Sequence, residues 1–146
     1  MIALDTNILA RFYCDDPNDP EAARQRLLVL HLFREAEAMF VPVTVILEFE
    51  LIMRGFYERG RKDFARILCH LLGLSNVTVE DWEAVNDAVT LHLKGLHFAD
   101  ALHWARSRHC QQMISFDDRG FARRIKRLEL KPAVCRPRDY LGVGHE

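Results

Sequence analysis

Short apolar runs alternate with helix-length amphipathic segments along the whole of this 146-residue chain, and few architectures accommodate that order. The runs fall at 2–4, 39–43, 76–79, 112–115 and 133–135, the third reading as a short edge strand. Between them the spacing predicts a helix through Ile8, Leu9 and Phe12, and others over 20–36, from Thr44 to Gly55 or Gly60, and over 61–72, 80–94, 98–109 and 118–128. In the 20–36 helix the expected apolar stripe is Ala23, Leu27, Leu28, Leu30 and Leu32. Strands that return only after a helix-length segment pair in parallel through right-handed crossovers. The expected fold class is therefore α/β, a three-layer α/β/α sandwich on a mostly parallel central sheet. With 49% hydrophobic and 28% charged residues the length suits one domain over 1–146, in which 136–146 is a loose tail.

Bulk charge gives no sign of a polyanionic partner. Lys and Arg number 20 against 21 Asp and Glu, a net charge of -1, so any such partner must be met by local charge. The longest nearly uncharged apolar run, 38–47, contains Pro42 and Thr44 and falls well short of the roughly 20 residues that cross a bilayer. No basic-then-apolar leader opens the sequence, and a cytoplasmic location with no membrane partner is expected. Cys14, Cys69, Cys110 and Cys135 form no Cys-x-x-Cys pair, which excludes the usual zinc and redox spacings and predicts reduced, mostly buried thiols.

Four acids stand where ligands gather in open parallel sheets, beyond the carboxyl ends of the strands. Asp5 ends the first strand, Glu48 follows Thr44 in the first turn of its helix, Asp100 follows Gly95, and Asp117 follows the strand ending at Ser115. Glu48 and Asp100 are flanked by apolar residues, a setting in which a charge is costly unless compensated. Helix dipoles contribute only about 0.3 to 1 kcal/mol each, too little to offset repulsion among several carboxylates a few ångströms apart. A divalent cation offsets it. An all-oxygen donor set favours Mg2+, with Mn2+ the alternative, and such an ion supports phosphodiester hydrolysis. Each acid also has a purely structural reading: Asp5 as a strand-end cap, Asp117 or Asp118 as a helix cap, and Glu48 in an exposed stripe with Glu50 and Arg54.

At these same residues the sequence resembles the PIN-domain family and, within it, the VapC-type toxins. The opening Ile2-Ala3-Leu4-Asp5-Thr6-Asn7-Ile8-Leu9 carries the first motif. Val41-Pro42-Val43 leading to Leu47-Glu48-Phe49, then Phe98-Ala99-Asp100-Ala101-Leu102, then Ile114-Ser115-Phe116-Asp117 look like the second, third and fourth, so the likeness covers nearly the whole chain. It implies a toxin ribonuclease of a toxin-antitoxin pair. Such a protein holds Mg2+ or Mn2+ on Asp5, Glu48, Asp100 and Asp117, cleaves RNA, forms homodimers and is inhibited by a small antitoxin. Thr6, Asn7 and Ser115 match supporting positions. The family more often has Thr where Ser115 stands, and the doublet Asp117-Asp118 leaves open which carboxylate is the fourth acid; Asp117 aligns with the motif, which leaves Asp118 to cap the next helix.

Arg106, Arg108, Arg119, Arg123, Arg124, Lys126 and Arg127 gather around the last two motifs, and Arg119, Arg123 and Arg124 are candidate RNA contacts, with a solvated helix face as the alternative. Phe12, Tyr13, Phe56 and Tyr57 could stack bases, grip a partner helix or pack the core. Phe56, Arg61 and Lys62 are candidates for an antitoxin groove. A haloacid-dehalogenase-like phosphatase also starts with a strand ending in Asp, but it needs a second Asp two positions on, where this chain has Asn7. A stand-alone RNA-processing nuclease and a non-catalytic RNA- or partner-binding domain remain as alternatives.

Overall fold

In the computed structural model, which describes residues 1–142 apart from the Asp118 side chain, the strands form where the apolar runs lie. The chain divides into two compact units, Met1–Asn86 and Asp87–Glu146.

The first unit contains a parallel sheet of β1 (Ile2–Ala3), β2 (Met39–Val41) and β3 (Val77–Val79) in that order, with Ile2 opposite Met39 and Met39 opposite Val77. β3 is an edge strand, as its few residues suggested. Helices α1 (Thr6–Tyr13), α2 (Pro20–Glu35), α3 (Val43–Gly55) and α4 (Arg61–Leu72) connect and cover these strands, and α5 (Trp82–Leu93) carries the chain out of the unit. α2 starts at Pro20 because a missing N–H costs nothing at the first helical position, and Asp19 caps it by accepting from Glu21 and Ala22 N–H at 3.0 and 3.3 Å. The core here gathers Leu9, Met39, Ile46, Phe49, Phe64 and Leu68, all buried.

The second unit holds α6 (Phe98–Ala105), β4 (Gln112–Ile114), α7 (Arg123–Arg127), β5 (Ala133–Cys135) and α8 (Pro137–Leu141), with β4 and β5 paired in parallel. Trp104 anchors it: the buried indole donates its N–H to Pro132 O at 2.9 Å, which satisfies the one polar atom the ring carries inward. All strand pairs among the described residues are parallel and alternate with helices, the α/β class expected.

Several local expectations change. α2 buries Ala22, Val29 and Phe33, whereas Leu27 and Leu28 are about 70% exposed. A Leu-rich helix carries more than one apolar stripe, and only tertiary packing selects among them. The segment 118–128 begins as a π-helical turn, Asp118–Ala122, closed by Ala122 N–H to Asp117 O at 3.1 Å, before α7. Within the expected tail 136–146, Pro137–Leu141 is helical, and 143–146 lie outside the described residues.

The thiols also differ from expectation, since only Cys14 is buried while Cys69 and Cys110 are exposed. Cys69 lies next to Leu68 on α4, so the helical turn that carries Leu68 inward carries Cys69 outward. Burial pushes the Cys14 thiol above its ordinary pKa, an effect partly offset by Arg59, Arg26 and Arg11. A thiol reagent at neutral pH is therefore expected to label Cys69 and Cys110 in the native protein and Cys14 only on unfolding. Peptide mapping after brief labelling checks this, and early modification of Cys14 would contradict the packing.

Candidate active site

The first unit brings two of the candidate acids into one hydrogen-bonded group. Asp5 is the N-cap of α1, and its Oδ1 accepts from Thr6 N–H at 2.7 Å. Thr6, only 3% exposed, donates its hydroxyl proton to Glu48 Oε1 on α3. Both carboxylates are exposed, and Asn7 is exposed in the first turn of α1. Thr6 thus ties the acid at the end of β1, through its N–H, to the acid on a neighbouring helix, through its hydroxyl, and α1 packs directly on α3.

Glu48 sits otherwise than its local sequence suggests. α3 begins at Val43 with Pro42 as its N-cap, so Thr44 caps nothing and Glu48 lies in the second turn. α3 buries Val43, Ile46, Phe49, Glu50 and Met53, which leaves Thr44, Glu48 and Leu51 on the solvent side. The buried acid is Glu50, 3% exposed, whose carboxylate accepts from Arg54 Nε at 3.0 Å. Of the alternative reading, an exposed stripe of Glu48, Glu50 and Arg54, Glu48 and Arg54 are exposed and Glu50 is not. Glu80, at the end of β3, was not read as a site residue; its Oε1 accepts from Val43 N–H at 2.8 Å and supplies the cap that Pro42 cannot.

In the second unit Asp100 is half-buried in the first turn of α6, as its place after Gly95 predicted. Asp117 is exposed and caps the π-helical turn: its Oδ1 accepts from Gly120 N–H at 2.9 Å, while its own N–H donates to Ser115 Oγ at 3.1 Å. Asp117 thus takes the ordinary N-cap role, accepting from the N–H three residues on, and the cap expected of Asp118 falls on a side chain outside the described residues. Gly120 has a second role that sequence reading missed, since a Cβ there would stand 3.3 Å from both Asp117 carboxylate oxygens. The signal was present as a Gly three residues after an acid.

Among the described residues no three or more His, Cys, Asp or Glu side chains stand close enough together to hold a metal ion. The geometry supplies instead a carboxylate pair joined through Thr6 in one unit, and Asp100 and Asp117 in the other. The donors are oxygens throughout, which fits Mg2+ or Mn2+; Mg2+ commonly binds through one or two carboxylates, its remaining positions going to water and substrate phosphate.

Of the candidate RNA contacts, Arg119, Arg123 and Arg124 are exposed. Arg124 lies against Gly95, whose φ of 108° and absent side chain admit the guanidinium: a Cβ there would meet Nη1 at 2.5 Å. Arg108 is engaged structurally, paired with Asp87 and set 5.0 Å over the Trp104 ring. Phe12 stacks on Phe33 with ring centroids 3.9 Å apart, and the Tyr13 hydroxyl bonds His70 Nδ1 at 2.8 Å, so these two belong to packing. Burial raises the Tyr13 phenol above its ordinary range. Tyr57 OH accepts from Arg11 at 3.4 Å, whereas Phe56 is exposed, as are Arg61 and Lys62.

Residues 2–127 match the family model described as PIN domain, a segment that includes Asp5, Glu48, Asp100 and Asp117 and extends across both units. No curated protein matches the chain.

Replacing Thr6 by Val keeps shape and burial while removing the hydroxyl that holds Glu48. The expected loss is about 1 kcal/mol of stability in urea denaturation, the usual net worth of one such hydrogen bond. An unchanged midpoint would show that the bond contributes nothing to the fold.

Proposed function

The chain belongs to the PIN domain family, whose members are generally nucleases, and from that premise we propose that it is a Mg2+-dependent endoribonuclease, the VapC-type toxin of a toxin-antitoxin pair. The observation that carries the reading is the Thr6-bridged pair of exposed carboxylates at the carboxyl end of β1. The proposal treats residues 1–146 as one domain, which the single family match across both units supports.

In this reading Asp5, Glu48, Asp100 and Asp117 hold Mg2+, with Mn2+ able to replace it. The bound ion would polarise a phosphoryl oxygen and make water acidic enough to serve as nucleophile near neutral pH. The chain's own part is to hold the carboxylates in place. The Thr6 hydroxyl orients Glu48 and its N–H orients Asp5, while Ser115 and the Gly120 N–H fix the backbone and carboxylate of Asp117. Asn7 completes the supporting group at the start of α1. Arg119, Arg123 and Arg124 attract the RNA backbone, for which the net charge of -1 supplies no general field.

Purified protein is expected to cut RNA with Mg2+, to stop on addition of EDTA, and to lose about 100-fold or more of its rate in a folded Asp100→Asn variant. Cleavage that survives both EDTA and the substitution would reject the metal-nuclease reading.

The toxin assignment, with its antitoxin partner, homodimer and cytoplasmic setting, rests on the motif resemblance; exposed Phe56, Arg61 and Lys62 are the residues proposed to meet the antitoxin. Induced expression is expected to arrest bacterial growth and Asp100→Asn to relieve the arrest. Normal growth alongside active enzyme would instead favour an RNA-processing nuclease.

A further inference from the structure

His92 is a buried titratable side chain that the proposed chemistry leaves unused. Only 5% exposed, it stands in the last turn of α5, and its Nδ1–H donates to Leu96 O at 2.8 Å. A carbonyl can only accept, so Nδ1 carries the proton of that contact. Leu96 is buried as well, at 2% exposure, a setting in which a carbonyl without a donor is costly.

The bond reinforces a turn that is already tight. Gly95 N–H donates to His92 O at 3.0 Å and Leu96 N–H to Leu91 O at 3.1 Å, the pair of bonds that ends a helix on a residue of positive φ, here 108° at Gly95. The Nδ1 contact ties the far side of that turn back to α5. Beyond it the imidazole meets Phe98 edge to face, with ring centroids 5.6 Å apart, and buried Phe98 is the first residue of α6. His92, Leu96, Phe98 and Asp100 all belong to the second unit.

Asp100 stands two residues beyond Phe98, half-buried in the first turn of that helix. A helix start is commonly fixed by its N-cap side chain, but His97, the N-cap of α6, makes no such hydrogen bond. The start of α6 is instead oriented from the preceding turn, through Leu96 O and the Phe98 ring, and His92 touches both. We propose that His92 is a positioning residue for Asp100, holding the start of α6 so that this carboxylate keeps the place from which it would bind a divalent cation. The part given to the cation rests on the metal-nuclease reading.

The test is Mn2+ binding to full-length protein without RNA, read by electron paramagnetic resonance, with urea denaturation and cleavage in Mg2+ measured on the same preparations. Two amides separate the ring nitrogens, since Asn carries an N–H in the place of Nδ1 and Gln in the place of Nε2. His92→Gln is expected to raise the Mn2+ Kd of the folded protein about tenfold or more, the usual cost of losing a group that orients a metal ligand, while His92→Asn stays within about threefold of wild type. Rescue by Asn and not by Gln supports the role. Lower urea midpoints with an unchanged Mn2+ Kd in both variants would make His92 structural only and overturn it, and equal weakening of Mn2+ binding by both would overturn the part given to Nδ1. Should His92→Gln not fold, Phe98→Leu removes the ring that His92 meets and keeps an apolar residue there: a Kd raised about threefold supports the role and an unchanged one overturns it. Mn2+ binding that follows the expected order of variants, without RNA cleavage in Mg2+, would support the role of His92 and remove the nuclease reading. Wild-type protein that binds no Mn2+ would overturn both.

Discussion

Each parallel pair of strands is prolonged at its carboxyl end by one backbone hydrogen bond of 2.9 Å: Leu4 N–H to Phe40 O, Glu80 N–H to Val41 O and Ser115 N–H to Cys135 O. Parallel strands all finish on the same side of their sheet, so these bonds fix where the chain leaves each ladder. Acidic residues occupy those exits. Asp5 succeeds Leu4, Asp117 stands two residues beyond Ser115, and Glu80 turns its own carboxylate back onto the first N–H of α3. The helices that carry Thr6 and Glu48 start from positions set by these strand ends, and the carboxylate pair they form depends on both starts.

The elements and their order were legible because period and punctuation were clear: Pro20 after Asp19, Gly95 before Phe98, and apolar runs too short for helices. Orientation about a helix axis was less so. Glu48 and Glu50 sit in equally apolar company along the chain, yet a helix turns about 100° per residue, and two positions separate the solvent face from the core. Leu27 and Leu28 failed as core markers for the complementary reason, since α2 offers leucines on several faces and packing chose Ala22, Val29 and Phe33. The four candidate acids were chosen for expected places after strands or in first helical turns, and Glu48 stands instead in the second turn of α3. The residues that hold them, Thr6 excepted as a donor and Ser115 as an acceptor, were not chosen: Gly120 acts through an N–H and through the space it leaves, and neither is written in its side chain.

The two units solve the same local problem differently. In the first, buried Thr6 serves two exposed carboxylates, Glu48 through its hydroxyl and Asp5 through its backbone N–H, so order at the acids is drawn from the core through Thr6. In the second, Asp117 is held by backbone N–H and a neighbouring hydroxyl in a tight turn, with no buried side chain involved. The first arrangement answers to core packing, and the second to local chain geometry.

The π-helical turn after Asp117 also sets the rotational phase of everything downstream. One residue more than an α-helical turn requires is wound into Asp118–Ala122, and α7 inherits that offset. Loss of a single residue there would let the turn relax to α-helix and rotate α7 by about 100°, carrying Ile125 out of its buried place and bringing a charged neighbour in. The length of this short segment is thus as constrained as its two packed positions, Gly120 against the Asp117 carboxylate and Phe121 in the core.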